Sequence, residues 1–592
     1  MSFHPNEVQR RARLAAALLF LAFVFLVGSF FRTQVLQHAQ YVLQSEENRL
    51  REVPLPAPRG VIYDRRGQII AENLPGYSVS LLAPSVDSLR AALRRLSGTI
   101  SLSPEQVDQA VRRFRRAPNR PAVIFADASF DVVSVLEEHR VEFPGLIIQS
   151  APKRYYPDGP AIAAFIGYTG EVNEGELASA SFRGYKAGQQ VGKDGLEKQY
   201  ESLLRGREGT RFVEVDARGR VVREAGARQD LLPEAAPPMH TNIDLDLQKY
   251  VVALFGDSLI GGVVALDPKS GEVLALHSAP TFDPNRFIGG IPADYWRALN
   301  QDERRPLYNK AIKGTYAPGS IWKLATSVLA LQAGLVTLED QMPLACTGGF
   351  QYGNRRFKCW DKKGHGHVTL AQAIELSCDV YFYQLGLKIG LSRLVAGGVD
   401  LGARERTGID LPSETRSIFP TAPATEYYNR RFGPRGWTQS ASLNLAIGQG
   451  ENAQTVVNMA RFYTALATNG EAAQPEIVRG ASQHTRLFDL TDEQMAGVRK
   501  ALAGVVQRGT AAASRIEGVM LAGKTGTAQN SQDATRDHAW FVGFAPAEDA
   551  KIVVAVMLEF GLHGSRAARI ASKIIEHYLK VQTTQALNTE GE

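Results

Sequence analysis

Cysteine is scarce in this chain, and its scarcity excludes a disulfide scaffold. Only Cys346, Cys359 and Cys378 occur among 592 residues, an odd number confined to one window. Long apolar runs are equally few. Residues 14–31 form an uncharged apolar run of bilayer-spanning length, and no second run of that length follows, which argues against several spans. The chain lacks a Walker-type phosphate loop, any nucleic-acid-reading motif and any internal repeat. Its formal net charge of +6 permits attraction to acidic surfaces, but the arginines are spread out, so no nucleic-acid partner is expected.

What is present suggests several folded units. A chain of this length exceeds one core and fits about three or four domains. Arg10, Arg11 and Arg13 precede the apolar run and place residues 1–13 in the cytoplasm and the remainder outside. Gly28-Ser29-Phe30-Phe31 offers no small-x-small cleavage site, so residues 14–31 are read as an uncleaved, single-pass anchor in the cytoplasmic membrane. Residues 34–51 are polar and helix-tolerant. Pro54, Pro56 and Pro58 then stiffen the exit, and residues 59–70 read as a hairpin turning at Gly67. Residues 80–150 carry helical patterns, one opened by the capping box Ser103-Pro104-Glu105-Gln106, and look like a helical head inserted into a mixed α/β pedestal spanning 32–240.

From Thr241 the texture changes. Two strand-like runs, 262–266 and 272–276, precede a largely helical middle, strands return at 521–530, 539–545 and 552–559, and a last helix over 567–579 leads into a polar tail, 581–592. The expected fold class is α+β, with an antiparallel sheet closed late in the chain across a domain of residues 241–580 and helices on its faces.

Within that domain, Pro318-Gly319-Ser320-Ile321-Trp322-Lys323 runs into an apolar helical stripe that Gly334 should stop. The helix is expected to begin at Ser320. Three residues apart, Ser320 and Lys323 share a face, so a partly buried amine could take the proton of a hydroxyl. Alone, Ser-x-x-Lys is unspecific. Ser377-Cys378-Asp379 follows 57 residues after Ser320, and Lys524-Thr525-Gly526-Thr527 comes 147 residues after Ser377 on a predicted strand.

This order and spacing resemble the class B penicillin-binding proteins, over nearly all the chain after the anchor. Arg59-Gly60…Asp64-Arg65, Gly192…Tyr200, Gly448-Gln449-Gly450 and His538…Gly543 add to the likeness. The resemblance implies a penicillin-binding transpeptidase domain on a dimerisation-type pedestal, cross-linking peptidoglycan stem peptides through a serine acyl-enzyme and acylated by β-lactams. It implies Ser320 as nucleophile, Lys323 as base, Ser377 as proton relay and the amides of Ser320 and Thr527 as oxyanion donors. Lys524 would complete the catalytic set by adding positive charge, and Asp379, Thr525, Gly526 and Thr527 would bind the substrate, the hydroxyls of Thr525 and Thr527 holding its carboxylate. The second motif commonly ends in Asn. Here it ends in Asp379, an acceptor that pairs with a lysine or holds a proton, and the substitution resembles the elongation-type subgroup rather than the division type. Nothing before residue 240 looks like a glycosyltransferase, so the resemblance implies a separate multispanning polymerase of the shape, elongation, division and sporulation type, with other elongation-complex proteins.

The cysteines leave alternatives open. Cys346, Cys359, His365 and Cys378 form a possible Cys₃His structural zinc site, with His365 preferred to His367 because Gly364 and Gly366 let its ring turn inward. A Cys346–Cys359 disulfide beside a free Cys378 is the competing reading, and three unlinked thiols are a third. No organic cofactor is implied. The functional alternatives are a D,D-carboxypeptidase or a catalytically silent or sensory β-lactam-binding scaffold. Intact Ser320, Lys323, Ser377 and Lys524 count against silence, and the dozen or so residues before the anchor are too few for a signalling domain.

Overall fold

Helix α1 (Pro5–Phe31) continues into a π-helical turn, Arg32–Leu36, and its large apolar side chains from Leu14 to Phe31 are exposed among the described residues. The span Gln9–Leu36 has a mean hydropathy of 2.6, apolar enough and long enough to cross a bilayer, and it fits a single-pass membrane protein. The structure is a computed structural model that describes residues 5–38, 50–118, 120–216, 221–223, 229–529 and 536–589. Residues 1–4 of the expected cytoplasmic end, 39–49 of the expected polar segment, Asn530 of the expected third-motif strand and 590–592 of the expected tail lie outside the described residues.

The pedestal is built mainly on antiparallel pairings. Strand β1 (Leu50–Leu55) pairs with Gly209–Val215, while β2 (Ile62–Tyr63) and β3 (Ile69–Leu81) form the expected hairpin. Asp64 Oδ1 accepts from the amides of Arg66 (2.8 Å) and Gln68 (2.7 Å), fixing a turn that closes at Gly67, φ +87°. The head contains helices α2 (Val86–Leu96) and α3 (Pro104–Arg116), the latter opened by the Ser103/Gln106 capping box. It also contains strands β4 (Ala122–Ala128) and β5 (Leu146–Tyr155), both antiparallel to β3. Leu89, Leu93 and Phe114 bury against Val79, Leu81 and Ile124, giving the head a small core of its own.

Beneath the head, Glu197 is fully buried between two arginines. Arg59 reaches its Oε2 at 3.0 Å (Nε) and 2.8 Å (Nη2), Arg154 Nε reaches Oε1 at 2.6 Å, and Tyr156 donates to Oε1 at 3.2 Å. Burial pushes the Glu197 carboxyl up, but the attraction of Arg154 and Arg59 outweighs it and leaves the group below the usual carboxylate range.

The sheet of the C-terminal half has five antiparallel strands. Strands β6 (Gly261–Leu266) and β7 (Val273–Ala279) come before the helical middle, and β8 (Ala522–Ala528), β9 (His538–Ala545) and β10 (Ile552–Leu558) after it, in spatial order β7-β6-β10-β9-β8. Every residue of β6, β7 and β10 is buried, so both faces are covered, with the helices Val456–Ala467 and Gly564–Thr589 packed on the sheet. Strand β8, bearing the Lys-Thr-Gly segment, is the edge that opens on the cleft. The last helix runs well past residue 579, so residues 581–589 continue it instead of forming an irregular tail.

Candidate active site

The Ser320 turn differs from expectation in one respect. Gly319–Trp322 forms a single 3-10 turn, and the α-helix proper, Lys323–Gln332, starts three residues later than Ser320. Close packing is the reason. Gly319 has φ +55°, and a Cβ on it would lie 2.7 Å from the carbonyl oxygen of Thr527; a Cβ on Gly526 would lie 2.9 Å from that of Pro318. The amide of Gly319 donates to the carbonyl of Gly448 at 2.9 Å. The turn is thus wedged between β8 and the Gly448-Gln449-Gly450 segment, while buried Ile321, Leu324, Ala325 and Val328 hold the helix behind it. Gly334, φ +62°, follows the helix end as expected. Ser320 is left half-buried, facing the cleft.

Lys323 is fully buried, and its amine donates to the carbonyl of Ser377 (2.8 Å), to Ser377 Oγ (3.1 Å) and to Asp379 Oδ1 (2.7 Å). These contacts use all three of its N–H bonds, so in this resting arrangement the second motif holds the ammonium, not the Ser320 hydroxyl. Ser377 has φ +55°, a left-handed conformation costing a non-glycine residue roughly 1–3 kcal/mol and typical of functional sites. Asp379 lines the cleft with the other expected substrate-binding groups and pairs with Lys323, while its Oδ2 accepts from the Trp360 amide at 3.1 Å. Burial raises the Asp379 carboxyl and Lys323 opposes the rise.

Lys524 is also fully buried, with its amine 3.2 Å from the carbonyl of Thr525. Burial and the neighbouring Lys323 ammonium push it well below the usual lysine range, against a smaller pull from Asp379. Thr525 and Thr527 line the same cleft of about 810 Å³ as Ser320, Ser377 and Asp379. Sequence reading missed Thr510, whose hydroxyl meets that of Thr525, and Trp360, whose amide secures Asp379. Neither carries a motif signal, because each partner lies far along the chain or acts through its backbone.

The ligand atoms of Cys346, Cys359, His365 and Cys378 all lie within 4.8 Å of one another. His365 Nδ1 is 3.6 Å from the sulfurs of both Cys346 and Cys359, whereas His367 is exposed. Gly364 and Gly366, at φ +83° and +69°, flank the inward-turned ring. All three thiols are buried and free, so the Cys346–Cys359 disulfide is not formed. Cys378 donates to Cys359, which lowers the Cys359 thiol and raises that of Cys378. Three thiols and one imidazole converging without any other cation among them make a donor set that suits a tetrahedral dication.

Comparison with known proteins agrees with this geometry. Residues 261–576 match the penicillin-binding protein transpeptidase domain, and residues 54–231 the penicillin-binding protein dimerisation domain. The peptidoglycan D,D-transpeptidase MrdA of Acinetobacter baumannii is 33% identical, covering 98% of this chain and 89% of that protein; its Escherichia coli counterpart is 30% identical, covering 96% and 94%. Among solved structures, penicillin-binding protein 2 of Helicobacter pylori in complex with MreC aligns with a TM-score of 0.79 at 27% identity, covering 90% of this chain and 99% of that one. A peptidoglycan synthase complex that coordinates polymerisation and crosslinking aligns with a TM-score of 0.69 at 29% identity, covering 95% and 97%. The chain belongs to the class B penicillin-binding proteins, of the penicillin-binding protein 2 kind, and is a peptidoglycan D,D-transpeptidase that cross-links the cell wall.

Proposed function

We propose that Ser320 is the nucleophile of this transpeptidase and that Lys323, Ser377 and Lys524 complete its catalytic set, serving cell elongation and shape. The observation carrying this reading is the convergence of three distant segments: Lys323 Nζ lies 3.1 Å from Ser377 Oγ, and the Ser320 turn is wedged against Thr527. In the acylation step the Ser320 oxygen attacks the carbonyl carbon of the penultimate D-alanine, and its proton passes to Lys323 in its neutral form. The amides of Ser320 and Thr527 receive the negative oxygen. As the C–N bond breaks, the proton moves from Lys323 through Ser377 to the departing D-alanine amine; an incoming stem amine reverses the relay and forms the new peptide bond. The hydroxyls of Thr525 and Thr527, beside Gly526 and with Lys524 behind them, hold the terminal carboxylate of a D-Ala-D-Ala stem or of a β-lactam. A negative ligand is what the depressed Lys524 lacks, and its arrival stabilises the protonated amine. Asp379 acts one step back, holding Lys323.

The chain is organised as a cytoplasmic end (1–13), anchor (14–31), pedestal (32–240) with a head at about 80–150, transpeptidase domain (241–580) and terminal segment (581–592). Arg10, Arg11 and Arg13 favour a cytoplasmic N-terminus and an extracytoplasmic catalytic domain. The solved relatives, one with MreC and one in a synthase complex, support elongation-complex partners, with a multispanning glycan polymerase meeting the anchor and pedestal. Cys346, Cys359, His365 and Cys378 would hold a structural zinc ion, which would tie the Cys359-Trp360 loop to the second motif.

Labelling of the full-length chain with a fluorescent penicillin tests the site. Ser320→Ala is expected to abolish labelling, and adduct formation on any other residue overturns the assignment. Elemental analysis of the purified chain is expected to find one zinc; no zinc, with a disulfide by mass, rules the metal out.

A further inference from the structure

Residues 559–563 join β10 to the last helix, and this joint is bent against its own preferences. Phe560 and Leu562 have φ of +56° and +64°, left-handed values that residues with a Cβ seldom adopt. The joint closes one side of the cleft, where His563, Gly564 and Ser565 stand with Thr525 and Thr527. Gly564, the first residue of the last helix, is pressed onto the third motif: a Cβ on it would lie 2.7 Å from the carbonyl oxygen of Gly526 and 3.0 Å from Thr525 Cβ. The joint cannot move without disturbing the strand edge that carries the two threonines.

Backbone carbonyls hold most of the bend. The amide of Glu559 donates to Ile260 (2.8 Å), that of Leu562 to Asp537 (3.0 Å) and that of His563 to Gly561 (2.8 Å). The amide of Phe560, at the first left-handed position, donates instead to a side chain, His538 Nδ1, at 3.3 Å. An imidazole accepts at Nδ1 only when that nitrogen carries no proton, so this contact needs the neutral ring, protonated on Nε2. His538 opens β9 opposite Ala528 of β8, and its ring is edge-on to Tyr316, with centroids 5.4 Å apart, and 5.6 Å from the ring of Phe560. The ionic groups around it are Glu559, which accepts from the Tyr316 hydroxyl at 2.7 Å and lies 3.8 Å from Arg305, then Asp537 and His563, and Arg536 over the Phe560 ring. Burial holds His538 below the usual histidine range, against the pull of Glu559 and Asp537.

We infer that His538 is a positioning residue for acylation: by accepting the Phe560 amide it holds the left-handed joint, and through Gly564 the third-motif strand, in the shape that receives the ligand's carboxylate. The inference rests on the reading of Thr525 and Thr527 as carboxylate holders given above. His538 touches neither the ligand nor Ser320, so its effect falls on binding more than on the bond-forming step. Protonation puts an N–H on Nδ1 facing the N–H of Phe560, and the hold is lost.

The test is stopped-flow acylation of the full-length chain in detergent by benzylpenicillin between about pH 5 and pH 8, separating the binding constant from the limiting acylation rate. His538→Asn keeps an acceptor near the place of Nδ1 but does not titrate, whereas His538→Ala removes the acceptor. Near pH 8 the asparagine variant is expected to bind like the parent and the alanine variant about fivefold more weakly, the worth of one neutral hydrogen bond, with limiting rates within about twofold of one another. As pH falls, the parent should weaken toward the alanine variant while the asparagine variant does not follow. Superimposable pH curves for parent and asparagine variant, or an asparagine variant as impaired as alanine near pH 8, overturn the inference. The parent and asparagine curves decide it even where the alanine variant does not fold. Benzylpenicillin methyl ester separates the two levels. It should acylate the parent slowly and erase the difference between parent and variants. An ester as effective as the acid refutes the carboxylate reading and the inference with it, whereas a preferred acid with matching pH curves refutes the role of His538 alone.

Discussion

Two of the places where the molecule buries ionic groups treat them in opposite ways. In the pedestal, Glu197 is met by two arginines and a tyrosine, and Glu201 accepts from Arg59 (2.9 Å) and from the Gly192 amide (2.8 Å). Charges there are matched, and the carboxylate stays ionised despite burial. In the cleft, two lysines are buried against a single carboxylate, and Lys524 is left with a carbonyl and a like-charged neighbour. Matched burial fixes a shape, whereas unmatched burial lowers the cost of moving a proton and leaves a place for a ligand's charge.

Removing the central amine should break the comparison most severely. Lys323→Ala takes away the proposed base and leaves Asp379 buried without its cation, so the rate of penicillin acylation is expected to fall by about 10³-fold or more. Stopped-flow acylation checks this; a drop below tenfold would mean that another group takes the Ser320 proton.

The pedestal should respond in stability and not in chemistry. Arg154→Ala leaves Glu197 buried with half its positive charge removed, a loss of roughly 3–5 kcal/mol. Chemical denaturation should show an early pedestal transition, while the folded protein still acylates at the parental rate. Slowed acylation in fully folded protein would show that the two networks are coupled.

A third, smaller effect comes from a buried group that neither network serves. His277 on β7 is packed edge-on to Phe255, its Nδ1 has no hydrogen-bond partner, and burial, with Lys310 nearby, lowers it to about 4. An unfolded histidine takes up a proton as pH falls through about 6.5, whereas the folded one resists until about 4. Its contribution is therefore complete above about pH 6.5 and lost progressively toward pH 4, amounting to roughly 3 kcal/mol. Thermal unfolding of the parent and of His277→Gln at pH 7 and pH 5 measures this, and an equal acid loss in the variant would assign the effect to other groups.

The sequence made these regions unequally legible. Ser320, Lys323, Ser377 and Lys524 could be picked out because their order and spacing are specific even though each short motif is not. The five-stranded sheet was readable from runs such as Gly262-Val263-Val264-Ala265-Leu266, whose continuous apolarity requires cover on both faces. The start of the helix after Ser320 was not, because the 3-10 turn is imposed by Thr527 and Gly448, which are remote in sequence. Asp379 was legible as an acceptor for a lysine, though not which lysine, and Trp360 acts through an amide that any residue possesses. Tertiary contacts decide such details, and local propensity does not carry them.

The finest distinction within the cleft concerns a hydroxyl pair. Thr510 and Thr525 share one hydrogen bond, and its direction determines whether Thr525 has a proton to offer a ligand. If Thr510 donates, the Thr525 proton is free for the carboxylate; if Thr510 accepts, that proton is already used. Thr510→Val keeps the shape and removes the choice, at a cost of about 1 kcal/mol for one neutral hydrogen bond. If Thr510 is the donor, acylation by penicillin should slow by roughly fivefold, and Thr510→Ser should recover it. A faster valine variant would reverse the direction, because a Thr525 hydroxyl released from Thr510 would then bind the carboxylate better than before.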